Sequence, residues 1–100
     1  MTDPAGIPAL QDAIRHFEGV ESRHVETVPV HEKHKGHTVW EGEVEVFELV
    51  GHPKAKRAYA WSHATEGTRR RFHVVLQSPP VDGPVMAVRT AVLAEYRAQN

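Results

Sequence analysis

The sequence predicts an α+β domain of order α-β-β-β-β-α, an antiparallel four-stranded meander with N- and C-terminal helices packed on one face. Two observations predict it. Apolar residues recur at helical spacing near both ends of the chain, whereas from Glu21 to Gln77 the period falls to two. β-Branched and aromatic residues crowd that middle stretch, which turn signals interrupt at HKG (34–36), GHPK (51–54) and ATEGT (64–68). A chain of 100 residues is enough for one small domain that buries roughly 60–70% of its unfolded surface, so residues 1–100 read as a single unit.

The first helix rests on Leu10, Ala13, Ile14 and Phe17, spaced i, i+3, i+4, i+7. Pro8 suits its first turn and Gly19 the left-handed position past its end, giving a helix over about 8–18. Asp3, Pro4 and Gly6 leave residues 1–7 expected to be disordered.

Four strands are expected at about 22–31, 38–50, 56–63 and 69–77. The third includes most of AKRAYAW (55–61), also a fair helix by propensity, and register selects the strand. With a turn centred on Gly51–Pro53, Val46 stands opposite Ala58 and Val44 opposite Ala60; the next turn sets Ala60 opposite Phe72 and Ala58 opposite Val74. These residues, with Leu76, Val28 and Val30, then share one core face whose central alanines let a helix approach closely. A second helix follows SPPVDGP, with Asp82 as N-cap, Pro84 in the first turn, and Val85, Val88, Val92 and Tyr96 as its apolar stripe.

By that register the other sheet face is uncovered, and Glu43, Glu45, Phe47, Arg57, Tyr59, Trp61, Arg71 and His73 are its candidate binding residues. Large rigid aromatics on an exposed sheet face suit a partner, either another protein or a second copy of this chain. A purely structural surface is the competing reading, since the same residues make cross-strand pairs of opposite charge. Glu41, Glu43, Glu45 and Glu48 occupy one strand, while Lys54, Lys56, Arg57 and then Arg69 to Arg71 lead the next two, so cross-strand compensation is expected.

Nucleic acid is an alternative partner, its bases stacking on the aromatics and its phosphates meeting Arg57 and Arg69 to Arg71. Three adjacent glutamates and a net charge of −1 argue against it. The helix–strands–helix order invites comparison with double-stranded RNA-binding domains. Those carry a Lys-rich start to the last helix, where this chain reads VDGPVMAV.

His31, His34 and His37 form H-x-x-H-x-x-H at a predicted hairpin turn, a candidate metal site if chain reversal gathers the three imidazoles. Regular strand geometry opposes it, because a spacing of three alternates faces. His63 and His73, with Glu43 or Glu45, are the candidates for acid–base chemistry. Zero cysteines exclude a disulfide scaffold, a thiolate zinc site and a cysteine nucleophile, and no phosphate loop, nucleophile elbow or dinucleotide fingerprint occurs. No cofactor is expected, and the balance favours a non-enzymatic interaction module. With no secretory start and no apolar run approaching a membrane span, the expected setting is the cytoplasm, away from the membrane.

The stretches VFELVGHPKAKRAYAW (46–61) and VVLQSPPVDGPVMAVRTAV (74–92) resemble small bacterial proteins of no assigned function. The resemblance covers roughly the C-terminal half, implies a bacterial cytosolic protein and transfers no functional residue.

Overall fold

The alternating middle of the chain folds as one antiparallel sheet in which each strand pairs with its sequence neighbour. In the computed structural model, which describes residues 6–64 and 70–99, the order is α1 (Gly6–Glu18), β1 (Ser22–His34), β2 (His37–Leu49), β3 (Arg57–Ala64), β4 (Arg70–Leu76) and α2 (Pro84–Gln99). The order and the α+β class are those expected, and 57–61 is strand. Helix α1 begins at Gly6, inside the segment expected to be disordered; residues 1–5, residues 65–69 with Arg69, and the Tyr96 side chain lie outside the described residues.

Local chemistry accounts for the boundaries. Gly19 ends α1 at φ 70°, donating its N–H to the Arg15 carbonyl at 2.9 Å, an αL cap. Arg15 then reaches forward, its Nε and Nη2 donating to the Glu21 carboxylate at 2.6 and 2.8 Å. That hydrogen bonding holds the Glu21 carboxyl below its ordinary range. Lys35 (φ 52°) and Gly36 (φ 81°) make the two-residue, doubly left-handed turn that matches strand twist, joining His34 directly to His37. Helix α2 is capped one residue later than expected: Gly83, and not Asp82, offers the first carbonyl, to Ala87 N–H at 3.1 Å, with Pro84 as first helical residue.

The helices do not share a face. Leu10 and Ile14 of α1 pack with Phe47, Leu49, Ala55, Ala58 and Ala60. Ala87 and Val88 of α2, with the preceding Val81, pack with Val30, Val44, Val46, Tyr59 and Trp61. The sheet is therefore sandwiched, one helix per side. Of the expected α2 stripe, Val88 and Val92 face the sheet, joined by Ala87 and Ala91, whereas Val85 is 40% exposed.

A single register difference produces this arrangement. Val46 pairs with Tyr59 and Phe47 with Ala58, one residue away from the expected alignment, and a one-residue slip exchanges the faces of everything that follows. Between β3 and β4 the observed pairs, Ala60 with Val74 and Ala58 with Leu76, differ from expectation by two residues, which preserves the faces. The cause lies in the β2–β3 connection. His52 Nδ1 accepts the backbone N–H groups of Lys54 and Ala55, both at 3.0 Å, while its Nε2 lies 3.0 Å from Glu18 Oε1. With Nδ1 accepting, Nε2 carries the hydrogen and donates to the carboxylate. The ring thus does for this loop what an asparagine does in an Asx turn, and ties it to α1. Beyond it, the Leu49 N–H donates to the Lys56 carbonyl at 2.8 Å, setting the odd-numbered offset.

His52→Ala is expected to destabilise the protein by about 1–3 kcal/mol, because it leaves two loop N–H groups without their acceptor. His52→Asn should recover a substantial part of that loss, as read from urea midpoints. Equal losses in both variants would remove the Asx-like role.

On the α2 side, Trp40 lies across Gly42, so a β-carbon there would stand 3.0 Å from the indole Cη2. Trp40 also meets Trp61 edge to face at 5.7 Å. Gly42→Ala is expected to cost about 1–3 kcal/mol by displacing the indole, visible as a change in near-ultraviolet circular dichroism. An unchanged spectrum and midpoint would mean the ring is loosely held.

Candidate functional site

The corrected faces remove the open aromatic platform. Tyr59 and Trp61 are each 3% exposed beneath α2, and Phe47 is fully buried beneath α1. Burial also raises the Tyr59 hydroxyl above the usual tyrosine range. Glu43 and Glu45 lie on the α1 side of the sheet with Phe47, whereas Arg57, Arg71 and His73 lie on the α2 side with Tyr59 and Trp61. The eight candidates are therefore split between two surfaces. His63 and His73 stack at 5.1 Å, and His73 on Trp61 at 5.2 Å, with Glu43 and Glu45 on the far side of the sheet from them. The acid–base pairing expected of these four residues does not form.

The glutamates of β2 are engaged mainly from β1. Glu48 is paired with Arg23; Glu45 accepts from Thr27 Oγ1 and lies 2.8 Å from His24 Nε2; Glu41 lies 3.8 Å from His31 Nδ1. Compensation across the sheet is thus real, with most of its partners on the other neighbour from the one expected. Arg57 does stand opposite Glu48.

The three-histidine arrangement does not assemble. His31 Nε2 lies 2.6 Å from Thr38 Oγ1, and His34 and His37 face each other across the turn. The register shift between Glu32 and Lys33 does not bring His31 round to them. Among the described residues no group of three or more His, Asp or Glu side chains is placed to hold a metal ion.

What the sheet does present is two unlike edges. β1, the outer strand on one side, carries Pro29, a register shift between His24 and Glu26, and the charges Arg23, Glu26 and Lys33. A proline, a bulge and charged side chains are the devices by which edge strands resist further pairing. β4, the outer strand on the other side, has a continuous register with β3 and the sequence RRFHVVL, without proline or bulge.

A groove of about 640 Å³ runs along that second edge. Phe17 and Glu18 of α1 flank it beside Phe72 and Val74; Thr90, Ala91 and Ala94 of α2 flank it beside Arg71, His73 and Val75. Phe17 is 57% exposed, the highest value among the large apolar side chains described. The backbone polarity of the edge follows from one bond. Gln77 N–H donates inward to the Arg57 carbonyl at 2.9 Å, and antiparallel pairs alternate between bonded and non-bonded. Odd-numbered residues of β4 therefore bond to β3, and the N–H and C=O groups of Phe72, Val74 and Leu76 point outward.

Arg71 and His73 are the two sequence candidates that line this groove; Phe17, Phe72 and Val74, which line it too, were not among the candidates. The signal available was VVL at the last strand before a helix, apolar on both faces and free of proline. Comparison with protein-family models, curated proteins and solved structures yields no match for this chain.

Proposed function

We propose that this protein is a non-enzymatic interaction module that binds an extended strand along its β4 edge. The observation carrying this reading is the contrast between the edges: β1 is blocked by Pro29 and a bulge, whereas β4 is regular, grooved and apolar over Val74–Leu76. Strand addition draws its affinity from main-chain bonds and its selectivity from alternate side chains meeting the flanks. The outward groups of Phe72, Val74 and Leu76 supply the first, and Phe17 with Ala91 and Ala94 the second. A nucleic-acid platform has no comparable support, since the aromatics it needs are buried, Tyr59 and Trp61 under α2 and Phe47 under α1.

A synthetic peptide of residues 70–77 tests the reading. Added to dilute isotope-labelled protein, it is expected to slow amide exchange at Phe72, Val74 and Leu76. Val74→Pro, which removes one outward N–H and no bond to β3, should abolish the effect while the protein stays folded. Exchange unchanged by the peptide would overturn strand addition.

A further inference from the structure

We infer that the strand received at this edge is β4 of a second copy of the chain, paired antiparallel about a two-fold axis through Val74. The inference rests on the strand-addition reading and adds the partner and the register. An isologous contact requires one surface to complement itself. Centred on Val74, the alignment sets Phe72 opposite Leu76 and Val74 opposite its counterpart, all on the α1 side and all apolar. The same three positions carry the outward backbone groups, so each facing pair exchanges two hydrogen bonds. On the α2 side, His73 meets Val75 and Arg71 meets Gln77.

Charge selects this pairing. The N-terminal end of β4 carries Arg71 and Arg70, the second of which also donates to Ser62 Oγ at 3.0 and 3.1 Å. Its C-terminal end is flanked by acids on both faces. On the α1 side stands Glu18, bonded to His52 in the loop that leads into Arg57, the residue bonded to Gln77. On the α2 side stands Asp82, in the segment between β4 and α2 and next to Val81, which packs in the α2-side cluster with Tyr59. Antiparallel pairing about Val74 brings each cationic end against the other copy's acidic end, twice by symmetry. A parallel pairing in the same groove would instead set arginines beside arginines. The dimer would be a continuous eight-stranded sheet with a helix pair on each face, closing the two free edges on one another and leaving only the blocked β1 edges outside.

Sedimentation equilibrium of the full chain is the test. Wild type is expected to be dimeric and Val74→Pro monomeric. Arg71→Glu should raise the dissociation constant about tenfold, and adding Asp82→Arg to it should restore much of the affinity. If Val74→Pro fails to fold, the two charge variants decide alone. A wild-type chain that stays monomeric at millimolar concentration while still binding the 70–77 peptide overturns self-pairing and leaves strand addition standing. A dimer that ignores both Val74→Pro and Arg71→Glu places the interface elsewhere and overturns the inference. Absence of both self-association and peptide binding overturns the two readings together.

Discussion

Trp61→Ala is expected to remove about 3–5 kcal/mol of stability, the largest loss from any single substitution considered for this chain. Trp61 is 3% exposed, sits in the cluster beneath α2, meets Trp40 edge to face at 5.7 Å and carries His73 stacked on its plane at 5.2 Å. Truncation leaves a cavity between sheet and helix that small neighbours such as Ala87 cannot fill. A domain of this size holds about 5–15 kcal/mol in total, so the variant should be marginal and unfold at much lower urea. The outcome separates two arrangements of the same strand. A tryptophan on an uncovered sheet face would cost well under 1 kcal/mol, and a loss that small would mean that α2 does not cover this side.

Ala60→Leu is expected to cost about 1–3 kcal/mol through the opposite face. Ala60 is fully buried where α1 crosses the sheet, and Leu10 and Ile14 close over it. Added methylenes must push the helix outward or force a strained rotamer. The informative measurement is the pairing of this change with a second one. Combined with Ile14→Ala, which vacates volume on α1, the losses should fall short of additivity by more than about 0.5 kcal/mol. Combined with Val88→Ala on α2, they should add within about 0.3–0.5 kcal/mol. Coupling to Val88 in place of Ile14 would reverse the assignment of helices to faces.

Element type and order were legible because each element carried its own period. Leu10, Ile14 and Phe17 mark a helix whatever surrounds them, and Gly19 marks its end. The relative alignment of β1 with β2, and of β3 with β4, also kept the expected faces. The error entered at one connection, where a histidine ring caps loop amides in the manner of an asparagine and changes the offset from even to odd. No periodicity reports such a bond. The chain did hold a sign of the outcome: VEVFEL puts apolar residues at 44, 46, 47 and 49, which is a strand covered on both sides. Reading that pattern as double burial would have called for a helix on each face. The β4 edge was harder to see, because an edge is defined by which strand has no neighbour, and that is a property of the whole sheet.

The meander order bears on how quickly this protein reaches its native state. Every strand pairs with the one that precedes it, and the sheet contains no crossover connection. Loops closed between consecutive strands sacrifice little chain entropy, so the sheet can zip outward from the Lys35–Gly36 turn, with each new strand meeting an edge already formed. The helices come from the two chain ends and settle on separate sides, so neither must wait for the other to dock. Two independent late steps imply that mutations under α1 and under α2 should accelerate unfolding more than they slow folding, while changes at the hairpin turn act on the folding limb.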